Sequence, residues 1–297
     1  MKTTTKAHLA VLGTNLFFAA NFSLVKVVSP ALFRPFGLNI FRVSISLVLF
    51  WLLWAARRGP AGIRKQDIGR FFLCGLTGVA INQMLFVRGL TLTSTVHAAL
   101  LMLTTPLLIT LFALWALREK LTPAKGAGLL LGGCGAALLI ASREGGAPGE
   151  HYLFGDLLIL VNAISYAVYF ILVKPLMQRY SPLHVVRWVF TFGLLIIFPI
   201  GISEAMDVRF SSFDAGQWAA FGSVVLTGTF LAYLFNAYGI QHLGAGTTGA
   251  YIYTQPVFAV AIATLFFGES LSLARVRAAV LIFGGVFIAG RQRGNKP

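Results

Sequence analysis

LTGVAINQMLFVRGLTLTSTVHAALLMLTTPLLITLFALWAL fills residues 76–117, and LTGTFLAYLFNAYGIQHLGAGTTGAYIYTQPVFAVAIATLFF fills residues 226–267. The second stretch is a diverged copy of the first, offset by 150 residues, and the likeness runs on to 139 and 289. Leu76/Leu226, Thr77/Thr227, Gly78/Gly228, Thr104/Thr254, Pro106/Pro256, Glu119/Glu269 and Gly135/Gly285 are among the shared positions. Each copy lies in a half of about five apolar spans, the length that crosses a bilayer. An odd number of spans starts the second half on the opposite side of the membrane. A duplicated, inverted pair of bundles is a common scaffold of alternating-access transporters.

Composition fits that reading. The chain has 297 residues, 57% hydrophobic and 11% charged, against about 25% charged in soluble domains. A net charge of +15 raises nucleic acid as a partner. The basic residues, however, sit in short connections between apolar runs, as in a membrane protein, so no nucleic-acid partner is expected. Cys74 and Cys134 lie inside apolar runs without a CxxC pair and read as small core residues. The first apolar run holds Asn15, Asn21 and Lys26 and is followed by nine more. It reads as a retained first helix and not as a cleaved signal.

The spans read as 8–28, 34–56, 68–88, 93–117, 124–142, 153–175, 182–202, 216–238, 247–267 and 273–291. The Pro- and Gly-bearing loop 143–150 separates repeats over 8–142 and 153–291. With the N-terminus inside, 16 Lys or Arg fall in cytoplasmic segments and six outside, while Lys26 and Arg42 lie within spans. Seven of the nine acidic residues fall outside. That asymmetry predicts a multi-pass protein of the cell inner membrane with both termini cytoplasmic, anchored most strongly by loop 56–70.

Asn21-Phe22 and Lys26, Pro106 with Arg118-Glu119-Lys120-Leu121, and Pro256 with Gly268-Glu269-Ser270-Leu271 resemble the drug/metabolite transporter superfamily, specifically its EamA-type exporters. The glycine-dense stretches Gly126–Gly135 and Gly284-Gly285 fit as well, and the likeness covers essentially the whole chain. Span 1 lacks the tryptophan that many relatives place before the Asn-Phe pair. The resemblance implies an all-α membrane protein, ten transmembrane helices as two inverted five-helix repeats around a central cavity. It also implies efflux of amino acids, related metabolites or drugs, and a homodimer contact through peripheral spans 5 and 10.

Polar residues within spans face a bundle or a water-filled space, because lipid offers them no partner. The substrate-binding candidates are Asn15 and Asn21 in span 1, Asn82 and Gln83 in span 3, and His97 in span 4. Their counterparts are Asn162 and Tyr166 in span 6, Tyr233 and Asn236 in span 8, and Tyr251, Tyr253 and Gln255 in span 9. Amides donate to a carboxylate and accept from an ammonium, so the set suits a zwitterion without a fixed protein charge; aromatic faces add apolar area. Each amide alone reads equally well as interhelical glue. Thr104 and Thr254 are candidates either for the lining or for bonds to their own helix backbone four residues back. Pro106 and Pro256 each free a carbonyl and bend a span, as hinges or fixed kinks. No carboxylate lies near mid-span, Asp156 being the closest, which leaves His97 as the central candidate for a proton relay.

These residues predict a secondary transporter, exporting amino acids or related small metabolites by alternating access, with proton-coupled drug efflux as the alternative. The five histidines are scattered, and HExxH, GxSxG and phosphate-cradling loops are missing from the sequence, so no enzyme is expected. No cofactor or metal is called for. The partners are a small-molecule substrate and the lipid bilayer.

Overall fold

A computed structural model describes residues 3–59, 61–116, 122–141, 151–268 and 272–290. The boundary loop 143–150 and the motif residues 118–121 and 269–271 lie outside them. The described residues are helical, with no strand among them.

The helices are α1 (Thr3–Val28), α2 (Pro35–Arg57), α3 (Lys65–Leu90), α4 (Thr95–Phe112, running on to Ala116) and α5 (Pro123–Ala141), then α6 (Tyr152–Arg179), α7 (Pro182–Met206), α8 (Ala215–Gly244), α9 (Thr247–Phe266) and α10 (Leu273–Gly290). Eight of these are long and apolar enough to cross a membrane. In α5 and α10 the apolar stretches are shorter, Gly126–Gly135 and Val276–Gly285. Local sequence sets the ends. Pro35 and Pro182 open α2 and α7, where a missing N–H costs nothing. Ser94 caps α4, and Asp214 forms a reciprocal capping box with Gln217 at α8. Gly244, at φ +83°, breaks the rod between α8 and α9 in a region that glycine enters without steric cost.

Packing is reciprocal between the halves. α1 packs on α8 and α9, as α6 packs on α3 and α4; α2 pairs with α7, and α5 with α10. Large apolar side chains such as Trp115, Leu195, Leu265 and Phe266 face outward, while Asn15, Asn21, Asn162, Asn236 and Gln255 are buried. That is the distribution expected of a bundle whose solvent is hydrocarbon. Of the two cysteines, Cys74 is buried as expected, but Cys134 is exposed on α5. A small apolar residue is as well placed against lipid as inside a core.

Side chains tie the two ends of the bundle. At one end Asp67 accepts from Arg179 Nη1 (2.9 Å) and the Tyr180 hydroxyl (2.7 Å), joining the start of α3 to the end of α6. There the Arg187 guanidinium stacks 4.4 and 4.3 Å from the Trp51 and Trp54 rings and donates to Ala61 O. At the other end Glu204 accepts from the N–H groups of Phe36 and Gly37 (2.7 and 3.0 Å), at the start of α2. A carboxylate there meets the orphan N–H groups and positive dipole of a helix N-terminus.

Candidate functional site

Two π-helical segments, Leu76–Ile81 and Leu226–Leu231, occupy equivalent positions of the repeat, in α3 and α8. A π turn widens the helix and leaves backbone carbonyls for partners outside it. The other half supplies them. Ser165 Oγ donates to Thr77 O (2.6 Å), and Arg42 Nη2 lies 3.5 Å from Gly228 O. Gly78 and Gly228 are placed where a Cβ would strike the Tyr169 ring and the Asn21 amide, respectively. The first helix of each half thus rests on the π segment of the other. The repeated Leu-Thr-Gly was visible in the sequence; its π geometry was not.

Beside these segments lies a cavity lined by Phe18, Asn21 and Phe22 of α1, Arg42 of α2, Asn82, Gln83 and Phe86 of α3, Met102 of α4, Asn162 and Tyr166 of α6, Tyr233 of α8 and Gln255 of α9. The cavity measures about 50 Å³. One water needs roughly 10–15 Å³, so the cavity has room for a few waters. A metabolite needs the walls to part.

The polar lining is ordered by its own bonds. Tyr233 accepts from Gln83 Nε2, and its hydroxyl faces Gly78 O at 3.0 Å and Asn82 Oδ1 at 3.3 Å. Asn162 Nδ2 donates to Asn82 O (2.6 Å). Phe22 and Phe86 meet edge to face, 5.1 Å between centroids.

Seven sequence candidates therefore converge: Asn21, Asn82, Gln83, Asn162, Tyr166, Tyr233 and Gln255. Asn15 and Asn236 stand one layer behind. Asn15 Oδ1 accepts from Gln255 (2.8 Å), and Asn236 Nδ2 donates to the Tyr166 hydroxyl (3.1 Å). Three candidates do not line the cavity. The Tyr251 hydroxyl bonds His8 Nδ1 (2.8 Å), Tyr253 packs near Phe283, and His97 is fully buried against Asp156. Asp156 lies near the start of α6, past its first turn, and is fully buried, so the histidine expected at the centre has its carboxylate partner away from the cavity.

Pro106 and Pro256 follow 3-10 turns, Met102–Thr104 and Tyr251–Tyr253, that tighten both helices. Thr104 and Thr254 bond carbonyls three residues back, Leu101 O (2.8 Å) and Tyr251 O (2.7 Å), a tighter pattern than the four-residue one expected. Sequence reasoning left out Met102 and, above all, Arg42. Its signal was available: a cation inside an apolar span is a functional candidate by default.

Known proteins share this plan. A solved crystal structure aligns over 96% of both chains with a TM-score of 0.64 at 21% identity, which shows a common fold. Uncharacterized transporter YetK of Bacillus subtilis is 28% identical over 246 residues, covering 82% of this chain and 74% of its own. A probable terminal-alkyne amino-acid exporter of Streptantibioticus cattleyicolor is 27% identical over 300 residues, covering 98% and 96%. The model of the EamA-like transporter family matches twice, over residues 5–141 and 153–291, nearly the whole chain. A membrane bundle with buried amides at its centre and two copies of that family's unit belongs to the EamA-like transporter family.

Proposed function

We propose that this chain is a secondary transporter of the inner membrane that exports amino acids or related small metabolites by alternating access. Its ten spans form two inverted repeats, residues 8–142 and 153–291, with both termini cytoplasmic. The observation that carries the reading is the cavity beside the paired π segments, which takes its lining from both halves. Rocking one half against the other would open it to either side. The relative named as an amino-acid exporter supports the substrate class.

Counterflow tests it. Proteoliposomes loaded with unlabelled L-amino acids should take up a labelled one at least tenfold faster than protein-free liposomes, without a pH gradient. The buried His97–Asp156 pair is the observation that favours the second reading, proton-coupled drug efflux. Strict dependence on an inward proton gradient, with exchange lost in a folded His97→Ala protein, would establish that reading instead.

Topology has its own check. In a cysteine-free background, Ser211→Cys should react with an impermeant thiol reagent from outside, and Gln66→Cys only from the cytoplasm. Labelling of both from one face would sink the arrangement.

A further inference from the structure

Arg42 is 1% exposed, yet no carboxylate among the described residues pairs with it. Each of those carboxylates is engaged elsewhere: Asp67 by Arg179, Asp156 by His97, Asp207 by Arg34, and Glu204 and Asp214 by backbone N–H groups. The guanidinium Nε donates to Thr229 Oγ1 (3.0 Å) in the π segment of α8, which fixes its plane. Nη2 reaches Gly228 O only at 3.5 Å, and Nη1 has no hydrogen-bond partner among the described residues. The side chain lines the cavity, where it is the one fixed charge among the described residues.

A buried cation without a counter-charge costs several kcal/mol, and a guanidinium fork matches a carboxylate with two parallel N–H···O bonds. Asn162 Oδ1, also in the lining, is an acceptor without a partner among the described residues. Phe86 and Met102 supply an apolar wall. We infer that Arg42 is the anchor for a carboxylate on the transported solute, and that this carboxylate is obligatory. The class is therefore an α-amino acid or similar acid with an apolar side chain: carboxylate on Arg42, ammonium toward Asn162, side chain against Phe86 and Met102. Purely cationic solutes are excluded. The inference rests on the transporter reading above and deepens it by naming the group that the cavity reads.

A ligand series on purified protein tests it, using L-methionine, L-leucine and L-phenylalanine, their α-amides, and the amines left when the carboxyl group is removed. Thermal stabilisation should appear with at least one acid, and its amide and amine should bind at least tenfold more weakly. An amide or amine binding within threefold of its acid would overturn the inference, as would an absence of binding by all three acids. Arg42→Gln should unfold near the wild-type temperature, because it removes an uncompensated charge, and should lose the preference for acid over amide. A folded Arg42→Gln protein that kept the preference would also overturn it. Should that variant fail to fold, the wild-type series still decides. Counterflow separates the two readings: amines exchanged as fast as acids would leave the transporter standing and this inference refuted, whereas acids that bind without any exchange would do the reverse.

Discussion

Gly285→Leu is expected to lower the unfolding temperature in detergent by about 10 °C and to broaden the size-exclusion peak. A Cβ at Gly285 would sit 2.5 Å from both Gly128 O and Gly132 N, and 2.9 Å from Gly132 Cα. All three are backbone atoms, so no rotamer change relieves the clash and α5 must move off α10. Overpacking costs about 3 kcal/mol in such cases, at roughly 2–4 °C per kcal/mol for a chain of this order. The repeat shows the same contact from the other side: a Cβ at Gly135 would lie 2.9 Å from Ile282 N. Gly128 and Gly132 are the small-xxx-small pair that lets membrane helices meet backbone to backbone. Gly284 is the control, because its Cβ would find only Leu131 Cδ2 at an ordinary 3.5 Å. Gly284→Ala should melt with the wild type. A Gly285→Leu protein as stable as Gly284→Ala would refute the close contact.

Much of this was legible in the sequence, and the rest was hidden for identifiable reasons. Hydropathy placed the long spans, and the repeat paired Gly78 with Gly228 and Gly135 with Gly285, positions that prove to be helix contacts. Face assignments were less secure. A helix turns about 100° per residue, so the extra residue of each π segment rotates everything after it. The 3-10 turns at Met102–Thr104 and Tyr251–Tyr253 shift the faces of α4 and α9 in the same way. Asn82 and Gln83 reach the cavity directly after one π segment, and Tyr233 just after the other. His97 and Tyr251, expected at the cavity as polar residues within spans, bond other partners instead. Period alone also gives no register between helices, which is why Asp156 looked like a helix-start residue and not the mate of His97. Arg42 is a different case: the amides suit a site without fixed charge, whereas a cation eight residues into span 2 is itself a signal of function.

Asp156→Ala is expected to be the most damaging single change outside the glycine contact, and to act through folding and not through the cavity. Asp156 Oδ1 accepts from His97 Nδ1 and from Thr93 Oγ1, both at 2.8 Å, with His97 and Asp156 side chains 0% and 1% exposed. The bonds join the start of α4 to the start of α6, beside the Tyr152–Ser94 contact (3.2 Å) and the Ser94 cap on His97 N. Alanine deletes the shared acceptor and strands two buried donors, a loss of about 3–5 kcal/mol. Asparagine keeps the shape and one acceptor, so Asp156→Asn should cost about 1–2 kcal/mol. A double-mutant cycle reads the coupling: His97→Ala combined with Asp156→Ala should be little worse than Asp156→Ala alone, because the second change removes a group that has already lost its bond to the carboxylate. Additive losses would mean that the two side chains do not act together. The cycle also bears on function. Because the pair stands off the cavity, any His97→Ala protein that folds should bind a carboxylate solute as the wild type does. A folded His97→Ala protein that had lost binding would put the histidine back at the site from which the geometry removes it.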